Sequence, residues 1–469
     1  MSFIQNWRVK KKLLKKKKRE SKNIFQFFSE LVKMSNRYSE EIPELDSMSE
    51  EDQSVESSEV SNIYSEEIPE LDSMSEEDQS VESSDESSEE EDQSVESGDE
   101  SSEEMEVPKR ALEAVEQLLL DQFGQWANYS ENGGPQFNYP CPRSAKNVQF
   151  DEELGLVPGP QVCDLISISY DKALTRQKYV RIFSLLDKIH CLLVEEKKAT
   201  LRELYYQMLS QDGGTITQIS EAVLAICILL KIPRAELHIQ ATSKGLVAGS
   251  ISYTTEDLVE VDCSHSTEGE SIPDNLSNIQ SSAKLVVVIE KDAVFQRLLS
   301  ENFLEDLEFD AILITGKGFP DLNTRKMLRR LAFELLPSQA KFVCLVDGNP
   351  FGMEILSVYK YGSLAMTFCG EPLAVPKLDW VGIYPSEVHS IPKEYIHDFS
   401  DRDYKKARSL QERSYFSPQM QEELDQMIRS GKKVEIEDVQ ETENSKSPLS
   451  PKEYLGQKLT DMIMEIMEL

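Results

Sequence analysis

Hydrophobic positions recur with two different periods along the second part of the chain. Residues 179–230 repeat their apolar positions every three to four residues, which is typical of amphipathic helices. Residues 107–125 show the same spacing and also predict a helix. The stretch 128–160 between them is rich in Gly, Pro and Asn and predicts an extended linker.

A different pattern begins near residue 284. Short apolar runs with many β-branched residues alternate with helical segments: KLVVVIE (284–290), AILITG (311–316) and KFVCLVD (341–347). This alternation is typical of a parallel α/β sheet that is buried on both faces. Residues 179–230 are predicted to form three helices. They are followed by the strand-like LHIQA and LVAGSISY, an order that predicts a winged-helix domain.

Charge separates the first part of the chain from the rest. The net charge is -35, and residues 38–106 contain 29 Asp and Glu and no Lys or Arg. YSEEIPELDSMSEEDQSVESS at 38–58 recurs unchanged at 64–84, so the acidic segment is a repeat with few apolar residues, which predicts disorder. The run KKKLLKKKKR at 10–19 favours either nuclear localisation or a basic arm that touches DNA.

These patterns predict an α/β protein whose parts are, in order, a disordered N-terminus with basic patch and acidic repeats (1–106), a helix and extended linker (107–178), a winged-helix domain (179–255), an α/β domain with a parallel sheet (280–445), and a polar linker with a C-terminal helix (446–469). No stretch reaches the roughly 18 apolar residues of a membrane span. The seven cysteines have no CxxC spacing, so we expect reduced thiols and no zinc site.

Acidic residues end two of the apolar runs. Glu290 and Asp347 follow strands of the predicted parallel sheet, and ligands bind such sheets at the carboxyl ends of their strands. A single acid at a strand end is more often a capping residue. As a pair on one sheet, the two acids favour a divalent cation with oxygen ligands, above all Mg²⁺.

RELYYQM (202–208) places Tyr206 four residues after Arg202 on a predicted helix. Residues at i and i+4 share a helix face, whereas Tyr205 points about 100° away. A tyrosine pair on a helix is usually involved in packing, so this motif alone is weak. Seven segments in order strengthen it: TLRELYY, IPRAELHIQATSKGLVAG, VVVIEKDAVFQRL, ILITGKGFPDLNTRKMLRRL, LVDGNPFGMEILSVYKYGS, WVGIYPSEV and KKVEIED.

Over residues 179–440 the chain resembles the A subunit of topoisomerase VI and, more closely, its eukaryotic relative, the meiotic double-strand-break transesterase. The resemblance implies a winged-helix domain that carries the nucleophilic tyrosine, here Tyr206 with Arg202 beside it. It also implies a Toprim domain that carries the metal, here with Glu290 and Asp347 as ligands. Tyr205 is then a packing residue.

The metal motif departs from the family pattern. Where the family has Asp-x-Asp, this chain has Asp347-Gly348-Asn349. An Asn oxygen can still bind a metal but carries no charge, so we predict Asn349 as a weaker ligand, and Mg²⁺, with Mn²⁺ as the alternative, as cofactor.

Three basic residues are candidate DNA contacts. Lys317 and Arg325 flank the turn GKGFPDLNTR, and Lys244 lies in TSKGLVAG. They could meet phosphates, while Pro320 and Asp321 could equally form a turn and cap the next helix.

The function that these features predict is a DNA transesterase that forms a 5′-phosphotyrosyl link and makes meiotic double-strand breaks in the nucleus, on chromosomes. Expected partners are double-stranded DNA, a second copy of the chain, accessory meiotic proteins and a topoisomerase VI B-like subunit; no membrane is expected. Two alternatives stay open: a catalytically silent DNA-binding or scaffolding paralogue, and the A subunit of a type IIB topoisomerase with a separate ATPase partner.

Overall fold

The structure is a computed structural model that describes residues 107–129, 134–212, 214–241, 243–335, 340–370, 372–391, 393–438, 452–456 and 458–459. The acidic repeats, the basic run and most of the predicted polar linker near the C-terminus lie outside these residues. Where the chain is described, no helix is both long and apolar enough to cross a lipid bilayer.

The α-helices of the described chain are α1 (Val107–Ala127), α2 (Ala173–Glu195), α3 (Leu201–Asp212), α4 (Ile216–Leu230), α5 (Asp292–Ser300), α6 (Leu322–Arg330), α7 (Pro350–Lys360), α8 (Asp401–Gln411) and α9 (Pro418–Ser430). Short 3-10 helices lie at Ala145–Asn147, Leu364–Met366, Pro385–Ser390, Lys393–Tyr395 and Ile436–Asp438, and a π-helical turn at Leu331–Leu335.

The strands are β1 (Gln136–Pro140), β2 (Val148–Asp151), β3 (Gly155–Pro158), β4 (Leu165–Ser169), β5 (Ala199–Thr200), β6 (Ile239–Gln240), β7 (Leu246–Gly249), β8 (Ile251–Thr255), β9 (Glu260–Asp262), β10 (Glu270–Ser271), β11 (Leu276–Ser281), β12 (Leu285–Ile289), β13 (Ala311–Thr315), β14 (Lys341–Leu345), β15 (Asp379–Gly382), β16 (His397–Asp398) and β17 (Lys432–Lys433).

The helices predicted within residues 107–125 and 179–230 are present as α1 to α4. Side-chain caps explain where α3 and α4 begin. A capping box begins α3, in which Thr200 Oγ1 accepts from Glu203 N–H and Glu203 Oε2 accepts from Thr200 N–H. Thr215 and Gln218 form the same motif at the start of α4. Leu204 and Met208 bury one face of α3, so this helix has a fixed inner side and a free outer side.

The predicted linker between α1 and α2 contains strands. β1 pairs antiparallel with β4, and β2 pairs antiparallel with β3. Phe137 and Tyr139 alternate with exposed residues in β1, and the Phe137 ring stacks on Tyr179 at 4.9 Å. The high Gly, Pro and Asn content of this stretch favoured a linker, so the two-residue period of β1 was not recognised in the sequence.

A six-stranded sheet forms the second region, in the order β10-β7-β13-β12-β14-β15. Strands β13, β12, β14 and β15 are parallel, which confirms the parallel α/β prediction. Val286 and Val288 face one hydrophobic core while Leu285, Val287 and Ile289 face another, so both faces of the sheet are covered.

One strand assignment was wrong. LVAG was predicted to complete the winged-helix domain, but as β7 it pairs antiparallel with β13 and extends the α/β sheet. β8 pairs instead with β11 and β9 in a separate three-stranded sheet. β7 pairs with β13 because β13 offers an open edge of the sheet. Local sequence patterns do not predict such a pairing.

A buried ion cluster anchors helix α7. Glu354, which is almost fully buried, lies 2.8 Å from Lys406 Nζ on α8 and 2.7 Å from Arg413 Nη2. Arg413 Nη1 also donates to Ser357 Oγ at 3.0 Å. These contacts fix α7, whose first residues border the site described next.

Candidate active site

The carboxyl edge of the parallel sheet brings Glu290 and Asp347 together. In-register pairing of Ile289 with Leu345 places the residues that follow β12 and β14 side by side. The backbone N–H of Asp347 donates to Glu290 Oε2 at 2.8 Å, and Glu290 is 7% and Asp347 3% exposed. The predicted proximity of these two acids is therefore present in the fold.

The two carboxyl groups are held in an environment that disfavours their charge. Burial, together with the neighbouring Asp347 charge, raises the pKa of Glu290. Burial also raises the pKa of Asp347, although the Lys291 ammonium opposes that shift. A divalent cation would relieve the cost of both negative charges.

The residues present fit one Mg²⁺ ion held by two carboxylates, because Mg²⁺ is usually bound by one or two carboxylates together with waters and substrate phosphates. Within the described ranges, no group of three or more His, Cys, Asp and Glu side chains is arranged to hold a metal. Glu290 and Asp347 are thus the candidate ligands, and the rest of a coordination shell would have to come from outside the protein.

Asn349 occupies a different role from the predicted one. Its Oδ1 accepts from the N–H groups of Phe351 at 2.9 Å and Gly352 at 2.8 Å, so this oxygen caps the N-terminus of α7. Its Nδ2 donates towards Asp347 Oδ2 at 3.5 Å. In this arrangement Asn349 has no oxygen to offer, and its prediction as a metal ligand is corrected to a helix cap.

Gly352 lets the start of α7 approach the acids closely. A Cβ at this position would lie 2.4 Å from the Asp347 carbonyl oxygen and 3.1 Å from Glu290 Oε2. Any side chain here would push α7 away from both acids.

The sequence did not single out three residues that complete the acidic cluster. Lys291 Nζ lies 3.2 Å from Asp347 Oδ2, 3.0 Å from Glu435 Oε2 and 3.2 Å from Glu437 Oε2. Partial burial lowers the pKa of Lys291, but the Asp347 and Glu435 carboxylates outweigh this and raise it. Glu435 and Glu437 alternate within KKVEIED, and this i, i+2 spacing was the only available signal for them.

Two of the predicted basic residues lie at the same edge of the sheet. Gly318 N–H donates to the Glu290 carbonyl oxygen at 2.8 Å, which ties the glycine turn to the acidic pair. Lys317 Nζ pairs with Asp292 Oδ2 at 3.0 Å, and Lys244 Nζ donates to the Lys317 carbonyl oxygen at 3.1 Å. Burial lowers the pKa of Lys244.

Arg325 does not belong to this surface. It is 4% exposed, and its Nη1 donates to Met366 Sδ at 3.6 Å. Helix α6 turns residue 325 towards the interior, so its predicted contact with DNA is withdrawn. Asp321 caps α6 by accepting from Thr324 N–H at 2.8 Å, which is the turn-and-cap alternative for this segment.

Helix α3 presents Arg202 and Tyr206 on its outer face. The Tyr206 side chain is 63% exposed, and Arg202 is exposed as well. Tyr205 is half-buried, and its ring lies 5.3 Å from that of Tyr206. Among the described residues, no hydrogen bond, ion pair or ring contact joins Tyr206 to Arg202, Glu290 or Asp347. Within one chain the tyrosine and the acids are therefore two separate groups of candidate residues, the tyrosine half-site and the acidic half-site.

Comparison with protein families matches both halves. The Toprim domain family of the topoisomerase 6 A subunit/Spo11 proteins matches residues 285–459, which include Glu290 and Asp347. The family described as "Type IIB DNA topoisomerase" matches residues 177–239, which include Arg202 and Tyr206.

Individual relatives agree. Meiotic recombination protein SPO11 of Mus musculus is 35% identical over 335 residues, which cover 70% of this chain and 82% of the relative. The Homo sapiens protein of that name is 34% identical over 333 residues, with 70% and 82% covered. Meiotic recombination protein SPO11-1 of Arabidopsis thaliana is 35% identical over 256 residues, with 52% and 68% covered.

Proposed function

Because the chain belongs to the topoisomerase VI A/Spo11 family, we propose that it is a DNA-cleaving transesterase that makes the double-strand breaks of meiotic recombination. The observation that carries the assignment of the nucleophile is the exposure of Tyr206 on the outer face of α3, inside the matched segment. A tyrosine that attacks a DNA backbone must be accessible to a duplex, and the exposed Tyr206 side chain meets this requirement.

The reaction is an exchange of phosphodiesters. The Tyr206 hydroxyl oxygen attacks a backbone phosphorus, forms a P–O bond to the 5′ end, and displaces the 3′ oxygen. The phenol proton leaves to solvent, and the 3′ oxygen takes up a proton. Since one diester replaces another, cleavage needs no energy cofactor.

Arg202 and the basic pair supply positive charge for the phosphate. Arg202 shares the face of Tyr206 and can meet the charge that develops on the phosphate during attack. Lys244 and Lys317 lie at the sheet edge that carries the acids, where the backbone of a bound duplex would pass. These contacts give the net-acidic chain a local surface for DNA.

Glu290 and Asp347 would hold the metal of the site, for which we propose Mg²⁺, with Mn²⁺ as a substitute. When bound, such an ion stabilises negative charge on the leaving 3′ oxygen. The two acids are otherwise fixed by the protein itself, through the Asp347 N–H and the N–H of Ile436, which donates to Asp347 Oδ1 at 2.9 Å.

Two copies of the chain are needed for one break, because each copy carries one proposed nucleophile, Tyr206, and a duplex has two strands. We propose further that the tyrosine of one copy acts at the acids of the other. The separation of the two half-sites within a copy supports this arrangement.

A mixed-copy experiment tests the proposal. Tyr206→Phe and Asp347→Ala chains, each inactive alone, are co-expressed with different tags and incubated with supercoiled DNA and Mg²⁺. If sites are shared, the mixed dimer keeps one complete site and nicks one strand, with DNA attached only to the Asp347→Ala copy. If the mixture leaves the DNA without nicks while the natural protein cleaves it, the tyrosine and the acids of one site belong to the same copy.

A catalytically silent paralogue is the second candidate, and the role of Asn349 as a helix cap favours it, since a carboxylate of the family motif is missing here. Absence of covalent DNA attachment in the natural protein under every metal condition would support that candidate.

Nuclear location and chromosome association belong to the same proposal, as do accessory meiotic proteins. A topoisomerase VI B-like ATPase partner would be required for strand passage. Purification of the tagged chain from meiotic cells, followed by identification of co-purifying proteins, tests which of these partners it has.

A further inference from the structure

Lys291 lies among carboxylates beside the proposed divalent-cation site. It directly follows Glu290, and its ammonium contacts the carboxylates of Asp347, Glu435 and Glu437 at 3.0–3.2 Å. An ammonium has three N–H donors, so each carboxylate can receive one of them. The lysine therefore fills the space between the three acids as a cation.

The neighbouring contacts leave little freedom in this cluster. Asp347 Oδ1 accepts from the N–H of Ile436, and Gly348 and Val434 exchange both backbone hydrogen bonds. The segment that carries Glu435 and Glu437 is thus joined to the Asp347 loop through the backbone as well as through Lys291. Both glutamates are partly exposed, so water can solvate their charges without Lys291.

Asn349 cannot substitute as a ligand for a second ion, because its oxygen caps α7. Glu435 and Glu437 are further carboxylates of this cluster, and Lys291 contacts both. A second divalent ion bound by Glu435 and Glu437 would therefore have to displace the Lys291 ammonium from both carboxylates.

We propose that the Lys291 ammonium serves as a built-in cation that takes the place of a second divalent ion, so that the protein binds one divalent ion at Glu290 and Asp347. This inference rests on the proposed metal role of those two acids. It assigns Lys291, Glu435 and Glu437 a positioning role, because none of them is required to touch DNA. It also explains how a site with Asn349 in place of an acid can stay balanced in charge.

The test counts bound Mn²⁺ on the full chain without DNA, by electron paramagnetic resonance of the free ion. The acidic N-terminal repeats are expected to bind Mn²⁺ weakly. This background is measured in a Glu290→Ala/Asp347→Ala chain and subtracted from the count of each other chain. We expect one Mn²⁺ per natural chain and one further Mn²⁺ in Lys291→Met. Lys291→Arg, which keeps the charge, should bind one.

Two further variants make the count specific. Lys291→Met combined with Glu435→Gln and Glu437→Gln should return to one Mn²⁺, because the ligands of the new site are removed. Lys317→Met is the matched control, since it removes a nearby lysine that pairs with Asp292 instead, and it should bind one.

Two Mn²⁺ ions in the natural chain, or an unchanged count of one in a folded Lys291→Met chain, would overturn the proposal. A count of zero in Lys291→Met would overturn it too, because Lys291 would then hold the first site together rather than replace a second. Since no DNA is present, these outcomes are independent of whether the protein cleaves. A chain that binds one Mn²⁺ and never attaches to DNA would contradict the proposed function and leave this inference standing.

Discussion

The two half-sites of this molecule are built in opposite ways. Glu290 and Asp347 are buried at a sheet edge, and Asp347 and its loop are tied to two other segments, one through Glu290 Oε2 and Lys291 and the other through Val434 and Ile436. Arg202 and Tyr206 stand on the open face of α3, where the described contact of Tyr206 is with the ring of its neighbour. The acidic half is held by the protein's own contacts, whereas the tyrosine half is open, and under the proposed function DNA and a second copy would complete it.

This difference predicts where mutations act. Substitutions around the acids should change stability, metal binding and cleavage together, because the same contacts support all three. Substitutions on the outer face of α3 should change cleavage alone.

The largest effect is expected for the acids themselves. Asp347→Ala or Glu290→Ala should lower the cleavage rate by about a thousand-fold or more, since metal stabilisation of a leaving oxygen contributes several kcal/mol to the barrier. The measurement is the rate of covalent attachment to labelled DNA, with DNA affinity measured in parallel. Asp292→Asn, at the same edge, is the control and should keep activity. Equal rates in Asp347→Ala and the natural protein would remove the acids from the mechanism.

The next effect concerns the support of helix α7. Glu354→Ala should lower the free energy of unfolding by about 3–5 kcal/mol, because it leaves the buried Lys406 and Arg413 charges without their shared carboxylate. Urea unfolding measures this, and Glu412→Ala on the exposed end of α8 is the control. A loss below about 1 kcal/mol would show that the buried cluster does not anchor α7.

Metal affinity should depend on pH. The pKa of Glu290 is raised to about 8 and that of Asp347 to about 6, so both acids hold protons in the metal-free fold at low pH. A cation binds the ionised forms, so affinity for Mn²⁺ should rise about tenfold or more from pH 6 to pH 8 and then level off. The free energy of unfolding changes in the opposite direction. Without metal it falls from pH 6 to pH 8, because the buried acids must then carry their charges. An affinity that is flat from pH 6 to pH 8 would contradict the burial of the pair.

The smallest effect is expected for Arg202→Ala. Because Arg202 is exposed and its helix is held by Leu204 and Met208, the free energy of unfolding should change by less than about 0.5 kcal/mol, while cleavage falls. Thermal unfolding beside the attachment assay separates the two. A clear loss of stability would mean that Arg202 has a structural partner.

The sequence predicts that Glu290 and Asp347 lie together, but it does not predict the residues that surround them. Apolar runs before Glu290 and Asp347 are enough to predict a parallel sheet, and parallel strands bring their carboxyl ends to one edge. Lys291 and Glu437 are 146 residues apart, and no local period connects them. The role of Asn349 was missed because cap and ligand use the same oxygen, and only the position of the α7 N-terminus decides between them.

For the tyrosine half, the sequence gives the motif and the helix, and the buried positions 204 and 208 explain which face is open. It does not predict how the proposed DNA and second copy would meet that face, because the local pattern encodes neither. The pairing of β7 with β13 was missed for a similar reason, since a strand edge offers a partner that hydrophobic periodicity does not reveal.

The most direct measurement of the central claim is the identity of the residue that becomes attached to DNA. The protein is incubated with DNA and Mg²⁺, denatured, digested with nuclease and protease, and the nucleotide-bearing peptide is sequenced by mass spectrometry; Tyr206→Phe and Tyr205→Phe are treated in parallel. We expect a 5′-phosphotyrosyl link on Tyr206, no adduct in Tyr206→Phe with DNA affinity within a few-fold of natural, and a normal adduct in Tyr205→Phe. An adduct that persists in Tyr206→Phe, or disappears in Tyr205→Phe alone, would contradict the assignment of Tyr206 as the nucleophile.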